Sequence, residues 1–138
     1  MIRKMTPSDI NSVYRLICIL EDTSLDYLQI QSIFPEILKT HDVFVYEEKN
    51  QILGYADLRI ESQLHHSGKV AEIVELCVDP NVRNQQIGTQ LFEYIKEFAQ
   101  EKDCVLLELD CNNKRLQTHK FYENLGMKHT HRKYTINL

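Results

Sequence analysis

The chain has 138 residues, 43% of them hydrophobic and 26% charged, with a formal net charge of −4. That length suits a single domain with one core, burying roughly two thirds of its unfolded surface. The acidic balance argues against a general nucleic-acid binder, and no apolar run approaches the ~20 residues needed to span a bilayer. The first residues, Met1 to Asp9, carry no signal-peptide h-region, so a cytoplasmic protein is expected, with neither nucleic acid nor membrane as partner. Cysteines at 18, 77, 104 and 111 form no C-x-x-C pair and read as reduced, buried thiols. The six histidines show no metal-ligand spacing, so no metal is expected.

Met1 to Met5 reads as a short strand. Thr6-Pro7-Ser8-Asp9 has the form of a helix start, with Thr at the N-cap, Pro at the first helical position and an acid three residues after the cap. Ile10, Val13, Tyr14, Ile17 and Leu20 follow a helical period. A second helix is expected from about Leu25 to Lys39, which Pro35 must bend or divide. His41 to Glu48 is β-branched and aromatic and reads as a strand. Lys49-Asn50 then makes a turn into a second hairpin strand, Gln51 to Ser62. Gln63 to Lys69 is a polar connection holding His65, His66 and Gly68. Val70 to Val78 is apolar apart from Glu72 and Glu75, a pattern of burial on both faces that makes its two carboxylates conspicuous.

Asp79-Pro80 ends that strand, and helical periodicity resumes at Ile87 with Leu91, Phe92, Ile95, Phe98 and Ala99. Between them, Arg83 to Gly88 (R-N-Q-Q-I-G) leads into a helix N-terminus, where backbone N–H groups lack intrahelical partners and the macrodipole is positive. Strand, loop and helix start together form a candidate cradle for a phosphate or pyrophosphate. Cys104 to Leu109 reads as a strand, about Lys114 to Leu125 as a helix closed by Gly126, and His129 to Leu138 as a last strand. The order β-α-α-β-β-β-α-β-α-β implies an α/β fold, a mixed sheet with helices on both faces and a right-handed crossover at 74 to 91.

Two of these stretches resemble the GCN5-related N-acetyltransferase (GNAT) superfamily. E-L-C-V-D-P-N-V-R-N-Q-Q-I-G-T-Q-L is similar to its strand, acetyl-CoA pyrophosphate loop and helix, and H-K-F-Y-E-N-L-G-M to its late helix. The likeness extends over most of the chain and implies a single acetyltransferase domain, residues 1–138. Within the superfamily, V-Y-R-L-I-C-I-L, Q-L-H-H, E-I-V-E-L-C-V and K-R-L-Q-T-H-K-F-Y are similar to pieces of bacterial aminoalkylphosphonate N-acetyltransferases. Two departures stand out. Gln86 occupies the place of the family loop's first glycine, which requires its backbone to be near helical and puts coenzyme affinity in question. Arg115 stands where many members have Asn, with Asn112 nearby as a substitute contact.

The resemblance implies acetyl-CoA as cosubstrate and a small-molecule amine as acceptor, by direct transfer through a ternary complex. A protein or peptide amine, or a non-catalytic acyl-CoA-binding domain, are the alternatives, and homodimers are common in the family. Cofactor contacts are implied for Leu76, Cys77, Val78, Arg83, Asn84, Gln85, Gln86, Ile87, Gly88, Thr89, Asn112 and Tyr122, the oxyanion being met by main-chain N–H near Cys77 or Val78. Tyr122 corresponds to the general acid; a phenol of pKa about 10 stays protonated at neutral pH and can reprotonate a thiolate of pKa about 8.5. Glu72 and Glu75 are the candidate bases for the acceptor ammonium. Three residues apart on a strand, they face opposite sides unless a bulge intervenes. His65, His66, Arg115 and His119 are candidate acceptor contacts.

Overall fold

The computed structural model describes residues 1–82 and 86–138. Met1–Glu108 and Leu109–Leu138 are two compact units, taken in turn. In chain order the elements are β1 (Ile2–Lys4), α1 (Ile10–Glu21), α2 (Tyr27–Thr40), β2 (Asp42–Glu48), β3 (Gln51–Gln63), β4 (Gly68–Val78), α3 (Ile87–Glu101), β5 (Leu106–Leu109) and α4 (Leu116–Asn124). The strands form one mixed sheet in the order β1-β2-β3-β4-β5, so the architecture is the expected α/β one. The first three pairings are antiparallel. Val105 N–H donates to Lys69 C=O at 2.8 Å, setting the starts of β4 and β5 side by side as the crossover through α3 requires.

Local signals explain most boundaries. Asp9 accepts from the Thr6 N–H at 2.8 Å and receives both Nη atoms of Arg3 at 2.9 Å, tying β1 to the 3-10 turn Pro7–Asp9 that leads into α1. Asp26 caps α2, accepting from Leu28 and Gln29 N–H at 3.0 and 3.3 Å. Lys49 and Asn50 both have positive φ, 50° and 61°, as a tight two-residue hairpin turn demands. Pro35 does not divide α2. It removes one N–H partner from the helix, but Gln31 and Pro35 are exposed, so water can satisfy the released carbonyl.

The sheet separates two apolar layers. Val43, Val45, Tyr55 and Cys77 face α1 and α2 and pack with Val13, Leu16 and Phe34. Phe44 points the other way, edge-on to Tyr94 and Phe98 of α3 with ring centres 5.0 Å apart. Gly54 permits that second layer: a Cβ there would stand 2.9 Å from the Cys77 carbonyl oxygen and 3.1 Å from Leu91 Cδ1.

In the second unit, α4 ends on Gly126 at φ 93°, whose N–H donates to Glu123 C=O at 3.0 Å. The expected last strand between His129 and Leu138 is not formed. Tyr134, Ile136 and Leu138 alternate as a strand would, yet all three are exposed, and a strand without a neighbour has no ladder to hold it.

Candidate active site

The chemistry of β4 turns on one irregularity. Along the β3–β4 ladder, Arg59 pairs with Glu72, Leu58 with Ile73, and then Asp57 with Glu75, leaving Val74 over as a bulge. Without that extra residue Glu72 and Glu75 would face opposite sides. With it, Glu72, Glu75 and Cys77 share a face with Arg59, Asp57 and Tyr55 opposite them. This is the side of α1 and α2, since the Cys77 thiol donates to Leu16 C=O at 3.3 Å. The bulge thus brings the two candidate bases to one surface.

Their surroundings differ. Glu72 Oε2 accepts from Arg59 Nη2 at 2.7 Å, an ion pair about a quarter exposed on the glutamate side. Arg59 Nε is buried and has no hydrogen-bond partner among the described residues. Glu75 Oε2 accepts from the Tyr55 phenol at 2.6 Å. Burial pushes the Glu75 carboxyl above the usual glutamate range, and the Tyr55 bond offsets this only in part. Tyr55, itself 1% exposed, is pushed up in turn by burial and then by the Glu75 charge. Next along the face, Asp57 meets His41 Nδ1 at 2.7 Å. Burial raises the Asp57 carboxyl as well, against the bond from His41.

At the far end of β4, Asp79 fixes where the strand stops. Its N–H donates to Leu53 C=O at 2.8 Å, Oδ1 accepts from Asn81 N–H at 2.9 Å, and Oδ2 accepts from Arg15 Nη1 at 2.8 Å. The Asn81 amide first, and Arg15 after it, hold this carboxyl below the usual aspartate range. A 3-10 turn opens at Pro80, and α3 begins at Ile87. Arg83, Asn84 and Gln85, three of the expected pyrophosphate contacts, lie outside the described residues.

The remaining loop residues fit a pyrophosphate-bearing cosubstrate on two counts. The N–H groups of Ile87, Gly88 and Thr89 precede the first helical bond, Gln90 N–H to Gln86 C=O at 3.0 Å, and the Gln86 side chain makes no cap bond to them. In addition, β5 has four residues against eleven in β4 and starts level with Lys69, so β5 itself falls short of Leu76 to Val78. Gln86 departs from expectation. Its backbone is left-handed, φ 58° and ψ 24°, not near helical; this is the conformation glycine takes most easily, which explains the residue type usual in the family loop.

His65 and His66 occupy the 3-10 turn Leu64–His66 at the β3–β4 hairpin tip, their ring centres 4.1 Å apart, with His66 Nδ1 2.8 Å from Gln63 Oε1. From Gly68 to Leu76 is about 26 Å along the strand, so β4 does not bring the two histidines, which precede it, to its Leu76–Val78 end.

In the second unit, Asn112, Arg115 and His119 are bound up with the start of α4. Asn112 Oδ1 accepts from Lys114 N–H at 2.9 Å, and its C=O accepts from Arg115 N–H at 3.0 Å and lies 2.8 Å from His119 Nε2. Tyr122 packs edge-on to Phe121, ring centres 5.1 Å apart. Burial pushes its phenol up to about 12, with Cys111 adding to and Arg115 opposing the shift. It therefore stays protonated throughout the neutral range, as the role expected of it requires.

The family model for the GNAT acetyltransferase family matches residues 11–127. The chain belongs to this family. It is an N-acetyltransferase, and the reading as a non-catalytic coenzyme-binding domain is set aside. Among curated relatives, this acetyltransferase is 35% identical over 136 residues to the aminoalkylphosphonate N-acetyltransferase of Salmonella typhimurium, covering 97% of this chain and 88% of that one. Among solved structures it matches a transcriptional regulator from Bacillus halodurans with a TM-score of 0.93 at 25% identity, covering 100% and 99% of the two chains. It matches the glucosamine-6-phosphate N-acetyltransferase of Arabidopsis thaliana with a TM-score of 0.80 at 25% identity, covering 99% and 97%. No helix among the described residues is long and apolar enough to cross a membrane.

Sequence reasoning passed over Tyr55, Asp57, Arg59, His41, Arg15 and Asp79 as site residues. One of them carried a usable signal. Asp57 is a lone carboxylate in the apolar run I-L-G-Y-A-D-L, the same anomaly that singled out Glu72 and Glu75.

Proposed function

We propose that this acetyltransferase moves the acetyl group of acetyl-CoA directly onto the primary amine of a small acceptor carrying an anionic phosphorus group, an aminoalkylphosphonate first. The likeness to the Salmonella enzyme over nearly the whole chain carries the choice of acceptor. The similarity to glucosamine-6-phosphate acetyltransferases points to the same chemistry, an amine and a phosphorus oxyanion in one molecule. The family match spans both compact units, which supports their acting as one catalytic domain.

In this reading Glu75 is the base. Glu72 is engaged by Arg59, whereas burial leaves Glu75 with a raised proton affinity, nearer that required to deprotonate an alkylammonium at neutral pH. The ammonium N–H bond breaks, the proton passes to the Glu75 carboxylate, and the freed lone pair attacks the thioester carbonyl. Main-chain N–H near Cys77 and Val78 meets the oxyanion. The α3 N-terminus, with Arg83, Asn84 and Gln85, holds the pyrophosphate. As the tetrahedral intermediate collapses the C–S bond breaks, Tyr122 gives its proton to the leaving thiolate, and the second proton shed by the acylated nitrogen restores the Tyr122 phenol.

The test is thiol release from acetyl-CoA with aminomethylphosphonate, aminoethylphosphonate, glucosamine 6-phosphate and their unphosphorylated counterparts. Turnover confined to acceptors with the phosphorus group is expected; equal turnover on the plain amines would overturn the acceptor class. Tyr122→Phe should lower kcat about 10²-fold with coenzyme affinity unchanged. Unchanged kcat would remove Tyr122 from the mechanism.

A further inference from the structure

Asp57 and Glu75 are direct partners across the β3–β4 ladder, on the same face, beside the run of β3 from Ile52 to Leu58 that is buried throughout. Residues so paired have Cβ atoms about 5 Å apart, and like charges placed this way oppose each other. Asp57 is almost wholly shielded from solvent, its side chain 8% exposed. A fold needing only shape would be better served by a neutral pair. Instead each carboxylate has its own short bond, His41 on Asp57 at 2.7 Å and Tyr55 on Glu75 at 2.6 Å. These partners come from different places: Tyr55 from β3, His41 from the residue between α2 and β2. Among the described residues, no three His, Cys, Asp or Glu side chains are set to hold a metal, so the cluster is not explained that way.

We propose that Asp57 is a positioning residue for Glu75: its carboxylate, held by the 2.7 Å bond from His41, faces Glu75 across the ladder and favours transfer of the ammonium proton to Glu75. The inference rests on the reading of Glu75 as the base and adds how the fold tunes it. Burial alone would also favour the protonated carboxyl, but burial acts on any carboxyl in this layer, whereas a facing charge acts selectively on its cross-strand partner. The other groups that act on Glu75 are Tyr55 on β3, His41 after α2 and Glu21 on α1. On β4 itself, Glu72 and Cys77 share its face. Of the carboxylates, Asp57 is the directly paired one. Tyr55 works in the opposite sense, since its phenol bonds the ionised carboxylate and favours loss of the proton.

The test uses the full chain with ¹³C-labelled glutamate, the Glu75 side-chain signal being assigned by its absence in Glu75→Gln. In Asp57→Asn the midpoint of Glu75 titration should fall by about one pH unit or more. In Tyr55→Phe it should rise. Should the amide variant not fold, Asp57→Ser removes the same charge. A Glu75 midpoint that is unchanged or higher once Asp57 is neutral overturns the proposal. The acid limb of kcat/KM in Asp57→Asn should move down by the same amount. A limb that stays while the carboxyl signal moves overturns the catalytic half of the proposal. Absence of acetylation on every acceptor would count against the proposed function, while the NMR titration would still decide the Asp57–Glu75 coupling.

Discussion

Replacing Gln86 with glycine should stabilise the protein. Gln86 stands at φ 58° and ψ 24° at the entry to α3, with an exposed side chain that makes no cap bond. An L side chain in this region costs about 1–2 kcal/mol, which glycine avoids. Against that, glycine's greater freedom in the unfolded chain costs roughly 0.5–1 kcal/mol. The balance favours Gln86→Gly by about 0.5–1 kcal/mol. For 138 residues the unfolding entropy is about 0.29 kcal/mol/K, so Tm should rise by about 2–3 °C. The N–H groups of Ile87, Gly88 and Thr89 are unaltered, so coenzyme should bind at least as tightly. Thermal unfolding with and without CoA, and calorimetric titration of CoA, read both effects. A lower Tm, or CoA binding weakened tenfold, would refute the reasoning and show that the Gln86 side chain supplies a contact worth more than the strain it causes.

The remaining predictions concern the sheet and its two ends. Gly54→Ala would force a Cβ against the Cys77 carbonyl oxygen and Leu91, and should destabilise by about 1–3 kcal/mol, read as a lower Tm. Glu75→Gln should abolish most turnover yet raise stability at alkaline pH. The folded-state carboxyl is raised, so in the wild type stability is lost as pH climbs from the unfolded value of about 4.3 through the folded one, a loss the amide does not suffer. The Tm gain should be present at pH 8 and absent at pH 4; an equal gain at both would refute the linkage. Arg15→Ala removes the tether from α1 to Asp79 and should raise KM for acetyl-CoA several-fold. Because the guanidinium is about half exposed, the stability cost should stay below about 1 kcal/mol. The stabilisation through Asp79 is present above the unfolded value of about 3.9 and disappears as pH falls through the lowered folded one, so wild type and variant should converge in Tm as the pH is taken well below the unfolded value.

Read along the chain, nearly every element was visible to local physics. Helical period marked α1 and α3, Thr6-Pro7-Ser8-Asp9 stood at a helix start, Lys49-Asn50 turned a hairpin, and Gly126 closed α4. These signals act over a few residues, through caps, turns and periodic apolar faces, so a linear reading captures them. The family, too, followed from two short stretches, because their residue order can be compared directly along the chain. Tertiary structure decided the rest. Whether Glu72 and Glu75 share a face depends on the bulge at Val74, a matter of register against β3 that neither strand encodes alone. Whether Glu75 or Glu72 is the buried carboxyl depends on what Tyr55, Asp57 and Arg59 offer across the ladder. The segment from His129 to Leu138 has a strand's alternation and no strand, because a ladder requires a neighbour as well as a pattern. The chemistry of the site lies in pairings between residues 13 to 20 positions apart along the chain, and those exist only once the sheet has formed.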